Sequence, residues 1–246
     1  MNDGSPVAGV VSQMRQRLDD LPESLAHRRY FLGTYLRTTE AVGAAIGKAR
    51  FEDPAWVEIW DVRFAEFYLR AHDADLAGDR VPRPWRLAFD APAELAALAH
   101  VLLGINAHVN YDLPQALLAV ISDDDFKDQF LMDRRRRDHE RIDGVLSERV
   151  SAEDDELAAT GPRSLLDKVL TPFNRMASQR FLREARQKVW HNTVELQQAR
   201  VQGCYDTRLA ELEVLSAAKV ADLLRPGQVL LRLAVTGFGV TLPPPG

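Results

Sequence analysis

The chain has 246 residues, of which 46% are hydrophobic and 27% charged, and its formal net charge is −5. This composition is typical of a globular protein, and its mild acidity gives no electrostatic indication of nucleic-acid binding. No apolar stretch reaches the length of about 18 residues that a membrane span needs, and the N-terminus lacks the pattern of a signal peptide.

Cysteine usage limits both the compartment and the chemistry. Cys204 is the only cysteine, so it cannot form an internal disulfide, and cysteine-based metal centres are excluded. Because disulfides are typical of oxidising compartments, a chain without one is most simply placed in a reducing cytosol. We therefore expect a cytoplasmic protein that binds no nucleic acid and spans no membrane, and that could form a homodimer.

Helical periodicity dominates the chain from one end to the other. In chain order, the pattern predicts helices over residues 7–21, 24–48, 55–71, 94–112, 115–121, 127–150, 172–200 and 207–224. Leu113–Pro114 is expected to break or kink the chain after the fourth helix. The polar residues 151–164 are expected to form an exposed connection, and residues 225–246 an irregular tail.

The helix over residues 94–112 is apolar on most of its sides, so other helices must surround it. The remaining helices carry one apolar face each, which suits packing around such a centre. We therefore expect an all-α fold, in which residues 1–246 form a single helical-bundle domain around this buried central helix.

The end of the central helix, GINAHVNYDLP, is unusually rich in hydrogen-bonding groups. At about 100° per residue, His108 and Asp112 lie on one face of the helix and Asn106 and Asn110 on the opposite face. A buried polar group without a partner costs about 1–3 kcal/mol. The cluster therefore indicates either a functional site or a structural hydrogen-bond network.

Polar side chains on the inward faces of other predicted helices could complete a site. His139 lies on the apolar stripe of its helix beside Asp138, and Asp61 lies on an aromatic ridge where a solvent-facing acid is not expected. The further candidates are the large side chains Tyr35, Tyr68, Arg186 and Trp190. We expect His108, Asp112 and His139 to converge from two helices.

Five segments, YLRTTEAV, FEDPAWVEIWDVRFAEFYLRA, GINAHVNYDLPQAL, DHERIDGVL and ARQKVWHNTVEL, occur in this order. Together they resemble an uncharacterised bacterial family of unknown function that carries an N-A-H-[IV]-N-x-D-L-P signature. The resemblance covers about residues 24–200 and implies an all-helical fold with a common polar centre, but no reaction. The chain departs from the family at Trp60, where leucine is expected, and in the tail after Pro226.

A second pattern, His108–Asp112–Pro114, is similar in outline to the zinc-dependent phospholipase C and single-strand nuclease families. Those helical proteins use a helix bearing His-x-x-x-Asp followed closely by proline. The histidine that they place after the proline is missing here, as is their ligand at a mature N-terminus. The resemblance therefore leaves room for a single divalent ion rather than for three.

The first functional hypothesis is a small-molecule enzyme with a hydrophobic pocket inside the bundle. Histidine titrates near neutral pH, so His108 could act as general base or acid, oriented by Asp112 or Asp138. No nucleotide or flavin motif is present, which favours cyclisation, dehydration or isomerisation of a hydrophobic metabolite without a cofactor. The catalytic candidates are His108, Asp112, His139 and Asp138, and the substrate-binding candidates are Asn106, Asn110, Asp61, Tyr68, Tyr35, Trp190 and Arg186.

Two alternatives stay open. In one, His108, Asp112 and His139 bind a zinc or iron ion, with Asp61 or His191 as a further ligand, for hydrolysis or oxygen chemistry. In the other, the chain is a non-catalytic binding or structural protein whose polar network locks the core. A bound metal would favour the metal enzyme, an open pocket the acid–base enzyme, and a filled interior the structural protein.

Overall fold

Capping residues and prolines explain where two of the helices begin. The Ser5 side chain accepts a hydrogen bond from the Ala8 N–H at 3.2 Å, and Pro6 opens the first helix. In the same way, Asp53 accepts from the Trp56 N–H at 3.1 Å before a helix that opens with proline. Both arrangements satisfy backbone donors that the first turn of a helix leaves without partners.

The structure is a computed structural model that describes residues 4–160, 165–227 and 237–245. Its helices are α1 (Pro6–Asp19), α2 (Arg29–Gly47), α3 (Pro54–Leu76), α4 (Arg83–Phe89), α5 (Ala97–Ala107), α6 (Leu113–Val120), α7 (Gln129–Thr160), α8 (Leu165–Val201) and α9 (Tyr205–Leu224). Short 3₁₀ turns cover Glu23–Arg28 and Asp125–Lys127. The described residues contain no strand, so the predicted all-α fold is confirmed.

The central helix does not end at Pro114. A π-helical segment, His108–Asp112, joins α5 to α6, and the Leu113 N–H donates to the His108 carbonyl five residues earlier. Proline has no N–H to donate, and the wider π turn has already shifted the hydrogen-bond register there. The predicted break is therefore wrong. The result is a continuous helical rod over residues 97–120 with a π segment in its middle.

One predicted boundary is corrected, at the end of α7. Residues 151–160, predicted as an exposed connection, belong to α7. Their alanine, glutamate and leucine content favours a helix despite its polarity. Residues 161–164 of that connection lie outside the described residues, as do 228–236 and 246 of the predicted irregular tail. Residues 237–245, which we call the C-terminal segment, have no regular secondary structure.

The rod formed by α5, the π segment and α6 lies at the centre of the molecule. Its parts contact α2, α3, α4, α8 and α9. Leu103, Ala107, Ala116 and Leu117 along the rod are at most 1% exposed. The predicted burial of the central helix holds from Leu103 onwards but not at its N-terminal end, where Leu98 is 53% exposed. Polar groups on the buried part of the rod must find partners inside the protein. None of the helices in the described ranges is long and apolar enough to cross a membrane.

Candidate functional site

A cavity of about 150 Å³ lies between α2, α3, the central rod, α7 and α8. Most of its wall is aromatic or aliphatic, with Phe31, Phe64 and Leu113 among the lining side chains. The polar groups that line it are Thr34, Tyr35, Thr38, Asp61, His108 and Arg186. The cavity therefore combines an apolar wall with a few titratable groups, as small-molecule sites do.

His108 is held in place by hydrogen bonds that begin at its Nδ1 atom. The Nδ1 atom lies 2.9 Å from Asp112 Oδ2, and the same oxygen accepts a hydrogen bond of 2.8 Å from Trp85 Nε1. Asp112 is 2% exposed and faces two donors, so it holds Nδ1 in the protonated form. The Nε2 atom of His108 is left as an acceptor, and no described residue gives it a hydrogen-bond partner.

Aromatic rings fix the plane of the His108 imidazole. The Phe64 ring stacks on it with centroids 3.6 Å apart and an interplanar angle of 5°. The Tyr35 ring meets it edge-on, with centroids 4.5 Å apart. The imidazole is therefore confined between α2 and α3, and rotation about its side-chain bonds would cost these ring contacts.

Burial controls the protonation of this pair. Desolvation lowers the pKa of His108, although the hydrogen bond to Asp112 acts in the opposite direction. Desolvation also raises the pKa of Asp112, against the effect of its His108 and Trp85 hydrogen bonds. A lowered pKa keeps His108 neutral at pH 7, which is the state a general base needs.

Asp61 is the second titratable group of the cavity. It is 4% exposed, and its Oδ2 atom has no hydrogen-bond partner within the described part of the chain. Burial raises its pKa to about 7, even though the positive charge of Arg186 lowers it. A carboxyl group with this pKa is partly protonated at neutral pH and can donate a proton.

Arg186 forms the side of the cavity contributed by α8. Its Nε atom lies 2.5 Å from Asp143 Oδ1 on α7, and its Nη1 donates to the His139 carbonyl at 3.2 Å. Burial lowers the pKa of Arg186, against the raising effect of Asp143. The guanidinium is therefore anchored by α7 and can orient polar atoms of a bound molecule without moving.

His139 does not join His108 in a shared site, contrary to the prediction. Its ring is fully buried between Trp60 and Trp190, with centroid separations of 6.2 and 5.7 Å, and it does not line the cavity. His139 does face inward from α7, as predicted. Its ring packs between Trp60 and Trp190, however, on the side of Trp60 away from the cavity. Trp190 is likewise outside the cavity wall.

The predicted metal-ligand set is not assembled. No three histidine, cysteine, aspartate or glutamate side chains of the described residues are grouped as a metal ion requires. This includes His108, Asp112 and His139, which sequence spacing had combined. Metal ligands must approach within about 2–2.5 Å of one ion, so residues in separate layers cannot share it.

Asp138 has a structural role instead of orienting His108. Its carboxylate accepts hydrogen bonds from the backbone N–H groups of Glu52 and Asp53, at 2.8 and 2.7 Å, and from Arg141 at 3.0 Å. It is fully buried, and it secures the loop that leads into α3. The catalytic assignment of Asp138 is therefore corrected, because both carboxylate oxygens already have partners.

Asn106 and Asn110 face away from the cavity, on the side of the rod opposite His108. Asn106 Nδ2 donates to the Leu102 carbonyl at 2.9 Å, and its Oδ1 accepts from Asn110 Nδ2 at 3.1 Å. Asn110 also binds the backbone of the C-terminal segment. The opposite-face prediction was right, but the predicted contact with substrate is corrected, because these amides bind the protein's own chain.

Tyr35 and Tyr68 occupy different layers around His108. Tyr35 lines the cavity, whereas Tyr68 is 1% exposed and packs behind it against Phe31 and Trp85. Burial raises the pKa of both hydroxyls, so both tyrosines stay neutral. Tyr68 therefore supports the wall, and only Tyr35 is placed to touch a bound molecule.

Trp85 is the partner of Asp112 that sequence reasoning missed. It lies 27 residues before Asp112, on the short helix α4. Seven residues are too few for helical periodicity to single out one face. The one available signal was a tryptophan in a proline-flanked stretch, VPRPW, because a buried indole usually needs an acceptor.

A close approach at Gly104 shapes the cavity wall. A methyl group at this position would overlap the Phe31 ring, which lines the cavity. We expect Gly104→Ala to push that ring towards the cavity and to lower the free energy of unfolding by about 1–3 kcal/mol. Urea denaturation measures the effect. Gly9→Ala is the control, because a methyl group there has nothing within 4 Å, and equal effects of the two changes would contradict the packing described.

Comparison with known proteins gives a family assignment. No curated protein and no solved structure matched the chain. A family model for DUF5995, described as a family of unknown function, matches residues 7–226. That range includes the rod, the residues that line the cavity, and helices α7 and α8. It ends before the C-terminal segment. The resemblance seen in the sequence is confirmed, and the chain belongs to the DUF5995 family.

Proposed function

We propose that the protein is a small-molecule enzyme in which His108 and Asp61 act as an acid–base pair inside a hydrophobic cavity. One observation supports this most directly. The same apolar cavity contains a neutral imidazole whose Nε2 lacks a partner among the described residues, and a carboxyl group with a pKa of about 7. A purely structural core gains nothing from either group.

The chemistry follows from the opposite roles of the two groups. His108 accepts a proton from a carbon atom next to a carbonyl group, and Asp112 stabilises the imidazolium that forms. Asp61 in its protonated form donates to the carbonyl oxygen or to a departing hydroxyl group. If the substrate has a double bond next to the enol, His108 can deliver the proton to the far carbon while the enol oxygen returns its proton to Asp61, and the reaction is an isomerisation that moves the double bond. If hydroxide leaves with the proton of Asp61, the products are water and an alkene, and solvent resets both groups.

The size of the cavity limits the substrate. A volume of about 150 Å³ is close to that of engineered apolar cavities that admit benzene. The substrate is therefore a single-ring or comparably small hydrophobic metabolite rather than a long lipid chain. Arg186 and Tyr35 supply the polar contacts that would orient its oxygen atoms.

Deuterium exchange tests the proposal and does not require the natural substrate. The purified protein is incubated in deuterated buffer with a set of single-ring ketones and β-hydroxy ketones, and proton NMR follows exchange next to the carbonyl group. We expect protein-dependent exchange in the compounds that fit the cavity. A set in which no compound exchanges faster than in buffer would contradict the proposed base.

The compartment belongs to the same proposal. Acid–base chemistry of this kind needs no oxidising environment, and Cys204, the only cysteine, is a free thiol. A reducing cytosol suits such a chain. We accordingly place the proposed enzyme among cytoplasmic proteins of small-molecule metabolism.

A further inference from the structure

Two buried asparagines on different helical segments bind the backbone of the C-terminal segment. Asn110, in the π segment, donates to the Phe238 carbonyl and accepts from the Val240 N–H, both at 3.2 Å. Asn192, in α8, donates to the Val240 carbonyl at 3.0 Å and accepts from the Leu242 N–H at 2.9 Å. Each carboxamide therefore binds one carbonyl and one N–H group of the segment.

The spacing of these bonds indicates how the segment is recognised. The bound backbone groups belong to residues 238, 240 and 242, which is the two-residue repeat of an extended chain. Proteins that bind extended peptides use backbone hydrogen bonds for affinity and pockets for alternate side chains for specificity. Asn110 and Asn192 supply the first of these two components.

Further bonds continue along the segment. Lys188 Nζ donates to the Gly239 carbonyl at 3.1 Å, and Arg208 Nη2 donates to the Pro243 carbonyl at 2.7 Å. The contacts come from α8 and α9 as well as from the π segment. Backbone carbonyls over most of the segment's length are thus matched by side-chain donors of the folded core.

The sequence specificity of this site comes from two buried side chains of the segment and from the close contact between Gly239 and α8. Phe238 and Leu242 are 4% and 1% exposed. A Cβ atom added at Gly239 would lie 2.7 Å from Lys188 Cδ and 3.0 Å from Ala185 Cα, so a side chain there would have to displace Lys188 and press on the backbone of α8. The site therefore selects a large apolar residue, then glycine, with a second apolar residue four positions after the first.

We propose that Asn110 and Asn192 form a binding site for an extended peptide of this pattern, that the C-terminal segment fills it in cis, and that its docking positions His108. Asn110 lies in the π segment between His108 and Asp112, so occupancy of the site fixes the backbone that carries this pair. The positioning of His108 matters only if the proposed function is right. Peptide binding does not depend on that function, so the two can fail separately.

The test uses the full-length chain and a fluorescently labelled peptide, GFGVTLPPPG, which copies residues 237–246. In Gly239→Ala, the added methyl group weakens docking of the chain's own segment but leaves the binding site intact. We expect this variant to bind the peptide at least about tenfold tighter than the wild type, because the cis segment no longer competes at high effective concentration. Thr241→Ala, at an exposed position, is the matched control and should behave like the wild type.

A second change tests the site itself. Adding Asn192→Ala to the Gly239→Ala chain should weaken peptide binding about tenfold or more, since two backbone hydrogen bonds are lost. Two results would overturn the proposal. In one, Gly239→Ala binds the peptide no more tightly than Thr241→Ala; in the other, adding Asn192→Ala to Gly239→Ala leaves the affinity for the peptide unchanged. If Gly239→Ala is largely unfolded, a saturating concentration of the peptide should restore its helical circular dichroism spectrum, and an unchanged spectrum would overturn the proposal equally.

NMR of the His108 imidazole tests the positioning. Its ring signals should shift in Gly239→Ala and return to their wild-type positions when the peptide saturates the site. Signals that are the same in the wild type, the variant and the peptide complex would overturn the claim that docking positions His108. This readout requires no substrate.

Discussion

Replacing His108 with asparagine is expected to reduce the deuterium-exchange rate about 10²–10⁴-fold while the helical fold is retained. Asparagine is small enough for the space that the imidazole leaves, but its amide cannot accept and release a proton near neutral pH. The rate is measured on the compound that the wild type exchanges fastest. Circular dichroism of the variant establishes that the helices remain.

His72→Asn is the matched control for this change. His72 is also a buried histidine, at 1% exposure on α3, and it lies outside the cavity wall. We expect this variant to keep the wild-type exchange rate. A His108→Asn protein that exchanges as fast as His72→Asn would show that His108 is a packing residue and that another group is the base.

Replacing Asp61 with asparagine is expected to stabilise the fold at alkaline pH, while it removes the proposed acid. Burial raises the pKa of Asp61 from 3.8 to about 7, so the folded state holds a proton that the unfolded chain has released. The stability of the wild type therefore falls as the pH rises from about 4 to about 7 and levels off above that. The asparagine amide carries no charge at any pH and avoids this loss.

The expected size can be stated for two pH values. In the interval from pH 5 to pH 8, about two pH units lie below the pKa of Asp61. Over those two units the free energy of unfolding of the wild type falls by about 3 kcal/mol. Asp61→Asn should thus gain about that much relative to the wild type over this interval, measured by urea denaturation. Asp133→Asn, which removes an exposed carboxylate, should change stability by less than about 0.5 kcal/mol at either pH. A difference between wild type and Asp61→Asn that stays constant from pH 5 to pH 8 would contradict the raised pKa.

Helical periodicity predicted most of the fold, because amphipathic helices that pack locally leave a regular pattern in the sequence. The prediction from periodicity failed where the same local sequence is compatible with two different structures. Pro114 ends an ordinary helix but is accommodated after the π segment, and a polar stretch such as residues 151–160 can be either loop or helix. The register change at His108–Asp112 depends on packing of the whole rod, which single-residue preferences do not describe.

The candidate site was predictable where its geometry is local. His108 and Asp112 are four residues apart, and this spacing alone placed them on one face. Asp61 was singled out because an acid is unexpected on an aromatic ridge. Trp85, the C-terminal segment and the separation of His139 from His108 depend on contacts between residues far apart in sequence. Those contacts follow from how the helices are arranged, which one sequence does not reveal.

One titration tests the acid–base pair directly. NMR follows the Asp61 carboxyl carbon, assigned with Asp61→Asn, and the His108 imidazole, assigned with His108→Asn, in the same pH series. The account predicts a pKa of about 7 for Asp61 and a His108 imidazole that stays neutral to below its ordinary value of 6.5, since burial penalises the charged form of each. Midpoints near 3.8 for Asp61 and 6.5 for His108 would mean that both groups titrate as they do in water, and would contradict the existence of a dry acid–base site.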